Sequence, residues 1–549
     1  YLKLYPFTAT SNGDNRYNDQ FPIDITASYR EKQKAFYTKY LKAIEEYDKA
    51  DLNDNEQTSY DILKWECEGN LAALEYPDNQ MPINQFWAKT LEFPQMGSGS
   101  GIQPFKTEKD YDNWLARMSQ FPIWCDTAIA NMKQGMQSGW VLPQILAKRV
   151  LPQLTGVITN EATSSVFYTP IKNLPATFSN DAKKKYTDAF TKAINEQIIP
   201  SYKKLADFFE KEYIPKTRQS HGISDVPNGK AYYAMLAKTW TTTNLTPDEI
   251  FEIGKKEVAR IKAEMETVKT QTGFKGDLKA FFKFVNDAPE LHPYKKDEEV
   301  IAGFQAIYDK MKPNLIQQYD LVPKSKFEIR QTEAFREASA SAEYQQGTPD
   351  GSRPGIFYCP VLDAKKYNIF QDEALFLHEA IPGHHYQISL QQENKDLPKF
   401  RQFLWYGAYG EGYALYTESL GKELGLYTNP YQYFGKLSME MHRALRLVVD
   451  VGLHVKGWTK EQAIAYSMEN EADSEESIAI EIERYMAIPG QALGYKIGQL
   501  KIVELKAKAK TELGTKFNIK EFHNELLKYG CVPIAVLESK MNAWIAKNK

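Results

Sequence analysis

Apolar residues recur at three- and four-residue intervals among many Lys and Glu from Asp24 to about Glu68, and again from Asp181 to Tyr213. That interval lays them along one face of a helix, and most of the chain repeats it, so a predominantly α-helical molecule is expected. Thr246-Pro247-Asp248-Glu249 and Thr459-Lys460-Glu461-Gln462 each place a hydroxyl three residues ahead of an acid or amide, the pattern that satisfies the free N–H groups of a first helical turn. Between Tyr319 and Pro360 the periodicity changes. Lys326-Phe327-Glu328-Ile329-Arg330 and Ile356-Phe357-Tyr358 read as short strands around the turn-rich stretch from Thr348 to Gly355, which predicts a small antiparallel sheet. At 549 residues the chain exceeds what one small core organises. It divides loosely into helical portions 1–225 and 226–325 and a chemistry-bearing portion 326–549, with one continuous domain as the alternative.

Charge and cysteine content remove several functional classes. A formal net charge of -3 provides no broad basic field, so a nucleic-acid partner is not expected. No apolar run approaches the roughly 18 residues of a membrane helix. The first residue is Tyr1 rather than Met, which suggests a leader already removed. The expected location is therefore exported, either periplasmic or membrane-anchored as a lipoprotein with its lipid on that leader, and otherwise cytoplasmic. Cys67, Cys125, Cys359 and Cys531 form no Cys-x-x-Cys pair, which excludes a cysteine-based zinc knuckle and a thioredoxin-like site. Cys359, after a strand and without a marked base, reads as a buried thiol.

The chemistry concentrates in one segment. The chain has only 8 histidines, and three fall in His378-Glu379-Ala380-Ile381-Pro382-Gly383-His384-His385. A hydrolytic Zn²⁺ site uses neutral imidazoles and a carboxylate, keeps a position open for water, and needs a nearby proton acceptor. Glu379 is the expected acceptor. In an unbroken helix His384 would lie about 240° round from His378, so helical regularity has to fail between them. Pro382 and Gly383 are residues that cause such a failure. His385 shares a face with His378 but sits about 10 Å further along the axis, and it is the reserve ligand. A third ligand is expected from Glu411, in Tyr409-Gly410-Glu411-Gly412-Tyr413. Glu418, two turns later on the same side, can accept a hydrogen bond from a ligand imidazole.

These residues resemble those of the bacterial domain-of-unknown-function family 885, placed among gluzincin-like metallopeptidases. The likeness runs from Leu4-Tyr5-Pro6-Phe7-Thr8-Ala9-Thr10 through Asp350-Gly351-Ser352-Arg353-Pro354-Gly355 and the histidine run. It continues through the stretch from Arg446 to His454 and Arg484-Tyr485 to the stretch from Pro489 to Lys496. Gly383-His384 is similar to the Gly-His that closes the metal motif of carboxypeptidase Taq and angiotensin-converting enzyme, with two residues inserted before it here. Glu411-Gly412-Tyr413-Ala414 is similar to the third-ligand helix of the aminopeptidase N family. The resemblance implies a large helical gluzincin-like fold with a deep cleft, Zn²⁺ as cofactor, His384 over His385 as ligand, and peptides as substrate.

Further residues are expected around this centre. Arg446, Asp450 and His454 recur at four-residue steps and form a polar stripe on an apolar helix. Arg446 and Asp450 are equally explained as an ion pair, and His454 is the one expected to face substrate. Tyr485 and Tyr495 are candidates to steady an oxyanion, although with 34 tyrosines in the chain packing explains either one. Arg484 and Lys496 can reach a cleft from either side of Pro489-Gly490, and Arg353 can clamp a carboxylate or simply fix its loop. Trp405, Tyr406 and Tyr409 either line the cleft or pack. The expected activity is zinc-dependent peptide hydrolysis. The alternatives are a peptide- or metal-binding protein without catalysis, and a zinc hydrolase of non-peptide amides or esters.

Overall fold

The computed structural model describes residues 1–99, 101–333, 337, 341–348 and 353–549. Helices dominate it, as the periodicity requires, and both hydroxyl-led starts form reciprocal capping boxes, Thr246 with Glu249 and Thr459 with Gln462. The stretch from Asn180 to Tyr213 is helical throughout, with two π-turns at Ile194–Ile198 and Phe209–Tyr213. No helix among the described residues is long and apolar enough to cross a membrane.

The chain forms two compact units. The first comprises Tyr1–Ala43, Cys67–Tyr232 and Met486–Ile488; the second comprises Ile44–Glu66, Tyr233–Tyr485 and Pro489–Lys549. Residues on both sides of position 325 thus belong to the second unit. The first unit is organised round an aromatic core that includes Trp114, Phe121, Trp124 and Tyr202, all at most 1% exposed.

The second unit carries the elements that matter here: α1 (Pro247–Gln271), α2 (Asp297–Gln318), β1 (Phe327–Gln331), β2 (Glu343–Gln345), β3 (Gly355–Cys359), α3 (Asp372–Glu379), α4 (His384–Glu393), α5 (Gly407–Glu418), α6 (Pro430–His454), α7 (Glu475–Ala487, of which the part up to Tyr485 belongs to this unit) and α8 (Gly494–Leu513). Helix α6 lies along α1, and α5 lies along α8. The sheet has the order β1-β3-β2 and is mixed, not antiparallel as expected: β3 pairs parallel with β1 and antiparallel with β2. The physical reason is β2. Its three residues, Glu343-Tyr344-Gln345, are too few for a periodic signal, yet they take the antiparallel position beside β3 and leave β1 the parallel one. Every residue of β3 is buried, as suits the middle strand. The Pro349-Asp350-Gly351-Ser352 part of the expected turn lies outside the described residues.

Candidate metal centre

The helix that presents His378 ends at Glu379, one residue before the apolar Ala380-Ile381 pair. Pro382 lacks the N–H that would continue it, and a fresh helix starts at His384. Gly383 sits against the end of α3, where a Cβ would collide with the carbonyl oxygens of Leu377 and His378, so only glycine lets the chain turn back so closely. The turn brings the imidazoles of His378 and His384 edge to face, ring centroids 5.0 Å apart.

Glu411 arrives from α5. Where α5 crosses α8 the two backbones nearly touch, and a Cβ on Gly412 would lie 2.6 Å from Gly498 Cα. The Thr417 hydroxyl donates to the Leu377 carbonyl at 2.8 Å, tying α5 to α3. Glu411 Oε2 then lies 3.4 Å from His378 Nε2 and 3.6 Å from His384 Nε2. A tetrahedral ion with bonds of about 2.0–2.2 Å holds its ligand atoms about 3.3–3.6 Å apart, so these separations suit one small cation. One ligand atom from each of the three residues lies within 4.8 Å of the others.

Hydrogen bonding fixes how His378 is presented. Its Nδ1 donates to Glu418 Oε1 at 2.7 Å, and Glu418 and His378 are 1% and 2% exposed. With the proton on Nδ1, Nε2 turns a lone pair toward Glu411, and two acceptors then face each other. Only a proton or a cation reconciles them. Without a metal the proton does so. Burial pulls His378 down, but its hydrogen bonds to Glu411 and Glu418 outweigh this and carry it up to about 10. Burial pushes Glu411 up, yet the His378 and His384 hydrogen bonds hold it well below the usual carboxylate range. His384 Nδ1 and Glu418 Oε2 are buried without a hydrogen-bond partner among the described residues. Two imidazoles, one carboxylate and a supporting carboxylate are a donor set that fits Zn²⁺.

His378, Glu379, His384 and Glu411 line a cavity of about 470 Å³ together with Tyr344, Trp405, Arg443, Arg446, Arg484 and Tyr495. Burial raises the Glu379 carboxyl against the pull of His378 and His384, which makes it a stronger base than an exposed carboxylate.

The structure does not bring the remaining expected residues to the cavity. Successive residues of a helix point about 100° apart, so with His384 facing the cavity His385 turns toward the sheet. There its Nδ1 lies 2.9 Å from the Tyr344 hydroxyl, and burial lowers it to about 4. The Arg446–Asp450 ion pair does not form. Asp450 accepts from the Tyr233 hydroxyl at 2.5 Å and from Gly490 N–H at 3.0 Å, and burial takes it up to about 7. His454 is fully buried with Nε2 2.9 Å from the Tyr485 carbonyl oxygen. Four-residue steps climb about 6 Å each, which carries the stripe from Arg446 away from the cavity. The Tyr485 hydroxyl accepts from Arg446 Nε at 3.2 Å and does not line the cavity, whereas Tyr495 does. Lys496 is buried, donating to Glu440 at 2.6 Å and Gln499 at 2.7 Å, a link between α8 and α6. Arg353 is exposed and donates to the Gln346 carbonyl at 3.1 Å, fixing its own loop. Tyr406 and Tyr409 are buried, and the four cysteines are buried free thiols.

Sequence reasoning missed Arg443. It lies three residues before Arg446, on the same side of α6, and that spacing was the available signal.

Comparison with known proteins places this geometry in a family without an assigned activity. A crystal structure of a protein described as a candidate lipoprotein from Colwellia psychrerythraea is 28% identical, with a TM-score of 0.90 over 100% of this chain and 97% of that one. Another, described as a candidate lipoprotein of unknown function from Shewanella oneidensis, is 20% identical, with a TM-score of 0.75 over 98% of this chain and 97% of that one. No curated protein matches. A family model matches from residue 6 to residue 541, and the chain therefore belongs to the bacterial proteins of unknown function grouped as DUF885.

Proposed function

We propose that this protein is a zinc-dependent hydrolase that cleaves peptide bonds. The observation that carries the reading is the spacing of 3.4 and 3.6 Å from Glu411 Oε2 to two imidazole nitrogens, with Glu379 lining the same cavity. His378, His384 and Glu411 would hold the ion, and Glu418 would fix the tautomer of His378. Zn²⁺, when bound, supplies Lewis acidity that polarises a carbonyl oxygen and makes water a stronger acid. Glu379 takes a proton from the attacking water and returns it to the departing amine. Of the two tyrosines expected near the centre, Tyr495 lines the cavity, and its hydroxyl would be a donor to a developing oxyanion. The likeness of Gly383-His384 and of Glu411-Gly412 to gluzincin peptidases supports the same reading.

Metal analysis of purified protein together with Glu379→Gln tests it. The expectation is one zinc per chain in both proteins, with peptide-library hydrolysis lowered about 10²- to 10⁴-fold in the variant. Full activity in Glu379→Gln removes its role as base, and a chain that binds no divalent ion removes the proposal. Metal held without turnover would instead identify a binding protein, and turnover limited to acyl amides or esters a non-peptide hydrolase. Export with membrane anchoring belongs to the same proposal, supported by the description of the Colwellia relative, and fractionation of cells expressing the full gene checks it.

A further inference from the structure

Three arginines line the cavity that holds the candidate metal ligands: Arg443 and Arg446 from α6 and Arg484 from α7. Among the described residues only Glu481 pairs with them, at 3.0 Å from Arg446 and 3.4 Å from Arg484, and Arg443 has no ion pair. That carboxylate serves two of the three guanidiniums, and Arg443 feels the Glu379 carboxyl that lines the same cavity. Glu343 also lines the cavity, but it is exposed to water.

The guanidinium groups are held, yet not satisfied. Arg446 is 6% exposed. Its Nε donates to the Tyr485 hydroxyl and its Nη2 to Glu481, and its plane sits 4.6 Å from the centroid of the Tyr495 ring. Its Nη1 is buried with no hydrogen-bond partner among the described residues. Arg443 spends Nη1 on the Met439 carbonyl at 3.2 Å, and its Nε is likewise buried without a partner among the described residues. Arg484 is occupied by Glu481 and by Gln491 Oε1 at 3.0 Å. A buried guanidinium N–H left unpaired is costly, so ordered water or a ligand completes the hydrogen bond, and beside a cavity a ligand can take the water's place. Tyr485, Glu481 and Tyr495 hold Arg446 in one orientation, so the donor is preorganised rather than recruited.

We propose that Arg443 and Arg446, backed by the charge of Arg484, form a subsite for a carboxylate of the substrate. Two unpaired donors on neighbouring guanidiniums match the two oxygens of that group. The proposal rests on reading the cavity as a hydrolase site, and it deepens that reading by naming what is recognised. The carboxylate comes either from a free peptide C-terminus or from an acidic side chain.

Calorimetric titration of the chelator-treated protein separates this subsite from the metal. The probes are Ala-Ala-Ala, its C-terminal amide and Ala-Glu-Ala amide. Ala-Ala-Ala is expected to bind at least tenfold more tightly than its amide, and Arg446→Gln is expected to erase that preference. Arg443→Gln, at a half-exposed position, gives the same readout should Arg446→Gln fail to fold. Ala-Glu-Ala amide binding as tightly as Ala-Ala-Ala supports the subsite and assigns it to acidic side chains. Equal binding of all three, a preference that survives both variants, or tighter binding of inorganic phosphate overturns the proposal. Because no metal is present, these failures are distinct from failure of the hydrolase reading, which is judged by zinc content and turnover.

Discussion

His378 shows how much of the candidate site depends on one proton. Its Nδ1–H is given to Glu418, which directs the Nε2 lone pair at Glu411, where the proposed ion would sit. Glu418 can do this because it lies seven residues after Glu411, two helical turns, so one helix faces both nitrogens of the same ring. Replacing Glu418 with Ala deprives Nδ1 of its acceptor and frees the ring to change tautomer. Zinc affinity is expected to fall about 10- to 100-fold, read by competition with a fluorescent chelator, and Glu418→Gln, which keeps an acceptor oxygen, is expected to lose less. Unchanged affinity in Glu418→Ala would show that packing alone orients the imidazole.

At the scale of elements, the decisive contact is the crossing of α5 and α8 at Gly412 and Gly498, beside Glu411. Gly412→Ala places a methyl 2.6 Å from Gly498 Cα, so the helices must separate. Overpacking of this kind costs about 1–3 kcal/mol, and it is expected to lower both the melting temperature and the zinc stoichiometry. A variant with wild-type values for both would show that the crossing yields without moving Glu411. The sequence made part of this arrangement legible. Pro382-Gly383 marks where α3 stops, and helical periodicity marks α5 and α6, because both are local properties. The mixed sheet was not legible, since strand partners are chosen by contacts between distant residues and β2 is too short to announce itself. The stripe of Arg446, Asp450 and His454 was visible but misjudged. Periodicity gives the face of a helix and not the point along it where a cavity ends, so Asp450 and His454 fell beyond the cavity while Arg443 was passed over.

At the scale of the molecule, buried ionisable groups of the second unit set how stability responds to pH, and they act in opposite senses. His523 is fully buried and neutral, its Nδ1 donating to the Gln318 carbonyl at 2.8 Å and its Nε2 accepting from the Tyr416 hydroxyl at 2.7 Å. Burial lowers it from 6.5 to about 3. Between those values the unfolded chain binds the proton and the folded chain does not, so the stability His523 contributes is present above pH 6.5 and is lost as pH falls toward 3. Asp450 behaves inversely. Burial raises it from 3.8 to about 7, so the folded chain holds the proton that the unfolded chain gives up, and its contribution is present below pH 3.8 and is lost as pH rises toward 7. His385, also lowered by burial, adds to the first effect, and the buried Asp372, raised by burial, adds to the second. Across the overlap of these windows, from about pH 4 to 6.5, the opposing slopes offset each other. Single substitutions unmask them. Relative to the parent protein, Asp450→Asn is expected to make the melting temperature fall more steeply on acidification across that range, and His523→Asn to make it fall less steeply or rise. Melting curves collected at half-unit pH intervals decide the matter: parallel profiles for all three proteins would mean that neither group changes its proton occupancy on unfolding.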